Sequence, residues 1–197
     1  MNIRTRAFTP APRTSSAGAS AQRRAQKLAG FDLAQRVLGI DPGLHRTGYG
    51  IIESGERGIK LVEGGILRAK ADDEFPKRLQ DLHDGLAEVL RDVRPDVVVI
   101  EDLFSTYAHP RSALLMAHAR GVLMLAASEA DLRVHSFTPN EVKQVVTGNG
   151  HATKTNVQAA VKARLRLKAT LHPPDLADAL AIAICFALRQ NVNRPLA

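Results

Sequence analysis

The chain of 197 residues is 45% apolar, which is enough to build the core of one domain and leaves little for a second. Its longest apolar run, near residues 180–188, is too short to span a bilayer, so we expect no membrane partner. The single cysteine, Cys185, excludes an internal disulfide and a cysteine-based metal site, and it favours a reducing, cytoplasmic location.

The net charge of +7 is distributed unevenly along the chain. Residues 1–36 carry seven basic groups and one acidic group, residues 37–102 carry nine basic against fourteen acidic groups, and residues 103–197 carry eleven basic against five acidic groups. An acidic centre beside a basic surface would suit a metal site that faces a phosphate backbone. A solvated surface with uneven charge explains the same counts equally well.

The first segment, residues 1–35, is rich in Ala, Ser, Arg, Thr and Pro and has too few large apolar side chains to fold. We interpret it as a disordered basic arm, which would add non-specific DNA affinity through its charge. A transit peptide, an idle extension and a mis-assigned start fit the same composition. We predict one folded domain at residues 36–190 and a short C-terminal tail at residues 191–197.

Three predicted strands open this domain, at residues 37–40, 47–53 and 59–67. The first ends at Asp41, and the Pro-Gly pair that follows forms a turn, because Pro presets φ and Gly relieves steric limits. The second and third strands are separated by a glycine-containing turn. These short connections predict an antiparallel meander.

Helices and two more strands follow the meander. Apolar residues recur at steps of three and four over residues 75–93, which predicts an amphipathic helix that Pro95 stops. The continuous apolar run at residues 97–100 predicts a strand buried on both faces. The remaining predicted elements are a helix at 111–129, a strand at 132–137, a short helix that Thr138 caps before Pro139, and helices at 154–165 and 175–189.

This order of elements places a meander before β-α-β units. Such an order predicts an α/β domain with a mixed five-stranded sheet and helices on both faces. The layout is similar to that of the ribonuclease-H-like fold.

Two acidic residues stand at the ends of predicted strands. Asp41 ends the first strand and Glu101 ends the fourth, and neighbouring strand ends in an open sheet meet at one edge, where ligands bind. Because side chains alternate along a strand, Glu101 and Asp102 face opposite sides, and we choose Glu101 as the residue in the cleft. Taken alone, Asp41 is equally well explained as a turn residue.

Two more acids, Asp175 and Asp178, lie at positions i and i+3 of the last predicted helix, one above the other. Asp178 stands on an apolar stripe, where an ionised carboxylate is unfavourable without a partner, and no Arg or Lys lies within four positions of either residue. A divalent cation is the simplest compensation for these charges. Taken alone, Asp175 is a helix opener that the helix dipole favours.

The coincidence of four acids at one sheet edge indicates a catalytic metal site. Ligand sets made only of oxygen suit Mg²⁺ or Mn²⁺. Two such ions about 4 Å apart would fit in-line phosphodiester cleavage. His172 precedes Asp175 by three residues and is a weaker candidate, as a ligand or as a base near the metal.

Basic and aromatic residues near these acids suggest contacts with nucleic acid. Lys143 and Lys154 bracket a loop with two glycines, whose backbone N–H groups can approach a phosphate. Phe104 closely follows Glu101, and an exposed aromatic ring beside a nuclease centre can stack on an unpaired base. Burial of Phe104 in the core is the alternative.

Five segments of the sequence resemble the bacterial RuvC crossover-junction endodeoxyribonucleases, and the resemblance covers about residues 36–189. The segments are LGIDPG at 38–43, IE at 100–101, ARGV at 119–122, VKQ at 142–144 and DLADALAIA at 175–183. This set of motifs in this order is specific, whereas an Asp-Pro-Gly turn alone would not be.

The resemblance implies that the catalytic and metal-binding acids are Asp41, Glu101, Asp175 and Asp178, although some family members have His at the position of Asp175. It implies that the DNA-binding residues are Phe104, Lys143 and Lys154. It also implies a homodimer that nicks a Holliday junction symmetrically, leaves 5′-phosphate ends and works with the RuvA–RuvB branch-migration complex. The long N-terminal arm departs from the family pattern.

Other interpretations stay open at this point. A different ribonuclease-H-like nuclease would act on RNA–DNA hybrid or resemble a transposase. A junction-binding module without catalysis is the second alternative, and the presence of all four acids argues against it. An actin-like or sugar-kinase-like ATPase needs two such domains, which residues 36–190 cannot provide.

Overall fold

The computed structural model describes residues 3–5, 34–103, 110–169 and 171–192, and the strands within them form one mixed sheet of six strands. The strands are β1 (Ile3–Thr5), β2 (Gln35–Asp41), β3 (Arg46–Gly55), β4 (Gly58–Arg68), β5 (Val97–Glu101) and β6 (Val134–Phe137). Their order across the sheet is β1-β4-β3-β2-β5-β6. The predicted five-stranded mixed sheet is confirmed, with the short strand β1 added at its edge.

The strands β2, β3 and β4 form the predicted antiparallel meander. Asp41 pairs with Gly48 between β2 and β3, and Arg46 pairs with Arg68 between β3 and β4. The strand β5 pairs with β2 in parallel, and β6 pairs with β5 in parallel. Because β2 and β5 are neighbours that run in the same direction, Asp41 and Glu101 reach the same edge of the sheet.

The strand β1 differs from the prediction of an arm without regular structure. It pairs with β4 in parallel, from Ile3 opposite Gly64 to Thr5 opposite Ile66. An edge strand such as β4 presents unpaired backbone N–H and C=O groups, and an added strand satisfies them. Residues 6–33 of the predicted arm and residues 193–197 of the predicted tail lie outside the described residues.

The helices within the described residues are α1 (Phe75–Val93), α2 (Pro110–Glu129), α3 (Pro139–Thr147), α4 (Lys154–Arg164) and α5 (Pro174–Val192). The first ends where Arg94 adopts the left-handed conformation, one residue before Pro95. Thr138 caps α3 in a capping box with Glu141, as its sequence predicts. No helix in the described part of the chain is long and apolar enough to cross a membrane.

Helices cover both faces of the sheet, which confirms the predicted layers. On one face, α1 and α2 pack against the strand side chains of Leu38, Ile40, Val98 and Ile100. On the other face, α3, α4 and α5 pack against those of Val37, Val97 and Val99. Because side chains alternate along each strand, Asp41 and Glu101 belong to the face that α5 covers.

The helix α5 lies directly on β2 and β3. A Cβ atom at Gly39 would overlap the carbonyl oxygen of Ala179, and one at Gly48 would overlap the carbonyl oxygen of Asp175. Glycine permits this close approach of helix and strand backbones, since it has no side chain to separate them. The contact brings the first turn of α5 against the strand ends that carry the acids.

Candidate active site

The strand ends place Asp41 and Glu101 on the same side of the sheet. Asp102 points to the opposite side, where its Oδ1 lies 3.2 Å from Nη2 of Arg120 on α2. Glu101 therefore lies on the side of the sheet that carries Asp41, and Asp102 lies on the other side.

The helix α5 brings Asp175 and Asp178 to the same edge. The backbone of Asp175 rests on Gly48, which pairs with Asp41 across the β2–β3 ladder. The carboxylates are close enough for the charges of Glu101, Asp178 and Asp175 all to act on Asp41. The four predicted acids thus converge at one place.

Burial and mutual repulsion disfavour charge on the strand-borne acids. Burial, and then the charges of Glu101, Asp178 and Asp175, raise the pKa of Asp41 from 3.8 to about 8. Burial and the charge of Asp178 raise the pKa of Glu101 from 4.5 to about 7, against the opposing effect of Lys154. Without a cation, these two carboxyls therefore keep their protons to a higher pH than free Asp and Glu do.

The helix-borne acids have cationic partners. Nη2 of Arg46 lies 3.0 Å from Oδ2 of Asp175, and Nζ of Lys154 lies 3.5 Å from Oδ2 of Asp178. Burial nevertheless raises the pKa of Asp178, while the charge of Asp178 raises the pKa of Lys154. These partners come from β3 and α4, so they lie outside the four positions on either side of each acid in which the sequence has no Arg or Lys.

Comparisons with known proteins show the family to which the chain belongs. A family model described as "Crossover junction endodeoxyribonuclease RuvC" matches residues 37–186. The chain belongs to the RuvC family. A relative of that description from Rhodopirellula baltica is 45% identical over 152 residues, covering 77% of this chain and 85% of the relative. Another from Citrifermentans bemidjiense is 44% identical over 158 residues, covering 80% of this chain and 94% of the relative.

A solved structure of a RuvC protein supports both the family and the fold. Thermus thermophilus RuvC in complex with Holliday junction substrate is 34% identical and superimposes with a TM-score of 0.75. The match covers 80% of this chain and 96% of that chain. The resemblance predicted from the sequence motifs and the ribonuclease-H-like fold are both confirmed.

The donor set of this RuvC-family site fits a divalent cation. Its acids supply only carboxylate oxygens, which Mg²⁺ and Mn²⁺ prefer. As they stand, no three or more His, Cys, Asp or Glu side chains in the described part of the chain are close enough to hold a metal ion. A bound cation would therefore require the four carboxylates to lie closer together than they do here.

Lys143 and Lys154 lie beside the acids of this RuvC-family chain. The charges of both lysines lower the pKa of Glu101 and of Asp178, which shows that both approach the site. The loop between them follows α3 and ends where α4 begins at Lys154. The two lysines thus bring positive charge close to Glu101 and Asp178.

Two arginines near the acids were not predicted from the sequence. One is Arg46, whose contact with Asp175 joins residues far apart in the chain. The other is Arg120, whose Nε donates a 3.1 Å hydrogen bond to the carbonyl oxygen of Glu101 and whose Nη2 donates one of 2.6 Å to Oγ of Ser136. The ARGV motif singled out the segment of Arg120, but it gave no sign that this side chain holds the end of β5.

Two predicted candidates are not placed in the site by the structure. Phe104 lies outside the described residues. His172 is exposed and lies two residues before α5 begins. Their predicted roles in base stacking and in catalysis stay predictions.

Proposed function

We propose that this chain is a Holliday junction resolvase that makes paired symmetric nicks in four-way DNA junctions during recombination and repair, in partnership with the RuvA–RuvB complex. The observation that carries the proposal is the convergence of four carboxylates, whose charges raise the pKa of Asp41 to about 8 together with burial. Membership of the RuvC family supports DNA as the substrate. The related Thermus thermophilus protein has been solved with a Holliday junction.

The acids proposed to hold the metal are Asp41, Glu101, Asp175 and Asp178, with two Mg²⁺ or Mn²⁺ ions in each site. Bound ions would lower the pKa of a water molecule and neutralise the leaving oxygen. Water adds to phosphorus as the bond to the 3′ oxygen breaks, which leaves the phosphate on the 5′ end. The strand pair fixes one side of this site on the rigid sheet, and the first turns of α5 supply the other side.

The DNA contacts that we propose surround the acids. Lys143 and Lys154 would bind backbone phosphates, because both carry their charge to the acidic edge. Lys154 is well exposed, at 78% of its side chain, so it can reach a phosphate without leaving a buried position. Phe104 would stack on an unpaired base next to Glu101.

We propose that α2 forms the homodimer interface. Leu114 is 63% exposed and Leu125 is 52% exposed, and they lie about three helical turns apart on one face. Ala117 and Gly121 are exposed between them and would let a second helix approach closely. Two-fold pairing would present two identical sites, which paired nicks require.

Leu125→Glu should shift the mass measured by light scattering from dimer to monomer, and an unchanged dimer mass would contradict this interface.

The test of the activity is a nicking assay on a sequence-mobile synthetic four-way junction with Mg²⁺ and then with Mn²⁺. Linear duplex and RNA–DNA hybrid are assayed in parallel, together with Asp178→Asn. Asp72→Asn, which removes an exposed carboxylate that is not one of the four acids, is the matched control. We expect paired nicks on the junction alone, lost in Asp178→Asn and kept in Asp72→Asn.

Two other results would contradict the proposal. Equal cleavage of the hybrid would indicate a different ribonuclease-H-like nuclease. Tight junction binding without metal-dependent cleavage would indicate a binding module.

A further inference from the structure

Arg46 begins β3 at the edge that carries the acids, and its guanidinium is paired with one of the proposed metal ligands. Its Nη2 lies 3.0 Å from Oδ2 of Asp175. Two residues further along β3, Gly48 lies against the backbone of Asp175. The ion pair therefore follows from the way α5 rests on β3.

The ion pair between Arg46 and Asp175 is exposed enough for each side chain to change its partner. The side chain of Arg46 is 42% exposed and that of Asp175 is 32% exposed, and ion pairs of this kind contribute little to stability. Arg36 provides the contrast, because its guanidinium donates hydrogen bonds to both Glu53 and the carbonyl oxygen of Val93. Arg36 is thus held by the fold, whereas Arg46 can leave its carboxylate without disturbing the sheet.

The position of Arg46 also suits a phosphate. It stands opposite Arg68 in the β3–β4 ladder, and both residues are exposed at the sheet edge where the acids lie. Lys143 and Lys154 come to the same acids from α3 and α4. A guanidinium released from a carboxylate has a phosphate as an equivalent partner, since both anions accept paired N–H donors.

We propose that Arg46 is an exchangeable counter-ion of the active site. It pairs with Asp175 when no divalent cation is bound, and it transfers to a DNA phosphate when a cation takes the carboxylate. This inference rests on the proposed function, since it requires both a metal site and a DNA substrate. It predicts a linkage in which metal binding frees Arg46 for DNA and DNA binding frees Asp175 for metal, so that each raises the affinity for the other.

The first test is a calorimetric titration of Mn²⁺ into the full-length protein without DNA. Arg46→Gln should bind Mn²⁺ about two- to fivefold more tightly than the wild type, because the ion no longer displaces a guanidinium. Arg68→Gln is the matched control, since it removes the same charge from the same edge without breaking the ion pair of Asp175. It should change the affinity less.

The second test measures the linkage itself. Fluorescence anisotropy gives the affinity for a labelled four-way junction in EDTA and in Ca²⁺, with a denaturing gel to verify that the DNA stays intact. In the wild type, Ca²⁺ should tighten junction binding more than it does in Arg46→Gln. Arg68→Gln should keep the full effect of Ca²⁺.

The outcomes separate this inference from the proposed function. Equal Mn²⁺ affinities in the wild type and Arg46→Gln would overturn the counter-ion role, and so would equal gains in the Arg46 and Arg68 variants. Absence of Mn²⁺ binding in the wild type would contradict the proposed metal site itself. Circular dichroism verifies folding, and Arg46→Val, which favours a strand, replaces the Gln variant if that variant fails to fold.

Discussion

The two halves of the acidic site balance their charge in different ways. Asp41 and Glu101 sit on neighbouring strand ends, and burial with mutual repulsion raises their pKa values to about 8 and about 7. Asp175 and Asp178 sit on α5, where Arg46 and Lys154 approach them to 3.0 and 3.5 Å. In the strand half, Asp41 and Glu101, the raised pKa values favour protonation of the carboxyls. In the helix half, Asp175 and Asp178, each carboxylate is paired with a cationic side chain.

The two halves therefore differ in how easily the groups around each carboxylate can be replaced. The strand half is built on the ladder between β2 and β5, which holds the backbones of the two acid-bearing strand ends side by side. The helix half has exposed partners that can be exchanged. A divalent cation would therefore replace protons on one side of the site and side-chain cations on the other.

The comparison predicts that the two halves differ most in catalysis. Asp41→Asn should reduce junction cleavage by about 100-fold or more, because it removes a proposed metal ligand from the strand end, where burial already raises the pKa of the carboxyl. Asp175→Asn should reduce it less, since water can reach the half-exposed position. Single-turnover cleavage rates at saturating Mg²⁺ measure both effects, and junction affinity in EDTA verifies that binding is retained.

Equal losses in the two variants would break the distinction between the halves. Asp72→Asn serves again as the control, because it removes a carboxylate that is not one of the four acids. It should cleave like the wild type.

The strand half was the more predictable from the sequence. Apolar runs that end in Asp41 and Glu101, together with alternation along a strand, were sufficient to place both acids on one face. The i, i+3 spacing similarly identified Asp175 and Asp178. These signals are local, so they can be read from neighbouring residues.

The partners of the helix half could not be predicted. Arg46 lies far from Asp175 in the sequence, and their contact depends on Gly48 allowing α5 to rest on β3. The hydrogen bond of Arg120 to the carbonyl oxygen of Glu101 likewise joins a helix to a strand end. Such pairings depend on how elements pack, which hydrophobic periodicity does not specify.

The distance between the two halves is set by the contact of α5 with β2, and Gly39→Ala should change it. The added Cβ would overlap the backbone of Ala179, so α5 would have to move away from the strand that carries Asp41. Overpacking of this kind destabilises by about 1–3 kcal/mol. We expect a lower melting temperature by calorimetry and slower junction cleavage.

Gly85→Ala is the matched control, because it adds the same methyl group inside α1, where the nearest atom lies 3.4 Å away on the side chain of Leu67. It should leave cleavage unchanged and raise the melting temperature, since alanine favours a helix by about 1 kcal/mol over glycine. Unimpaired cleavage in Gly39→Ala would mean that the spacing of the two halves is not critical.

A further expected effect is on stability without metal, and the raised pKa values of the strand acids determine its sign. The pKa values of Asp41 and Glu101 in the folded protein, about 8 and about 7, lie above the usual 3.8 and 4.5. Between about pH 4 and pH 8 the folded state therefore binds more protons than the unfolded state, so this contribution to stability is lost as the pH rises. In EDTA, the melting temperature should fall from pH 5.5 to pH 8.5.

Two comparisons sharpen that prediction. Asp41→Asn removes the group with the larger shift, so its melting temperature in EDTA should fall less over the same pH range. Mg²⁺ should stabilise the wild type more at pH 8.5 than at pH 5.5, because protons compete with the cation for the same carboxylates. An identical pH slope in Asp41→Asn and the wild type would show that the pKa of Asp41 is not raised in the metal-free protein. The difference between the strand half, where protonation reduces the negative charge, and the helix half, where cationic side chains balance it, would then be lost.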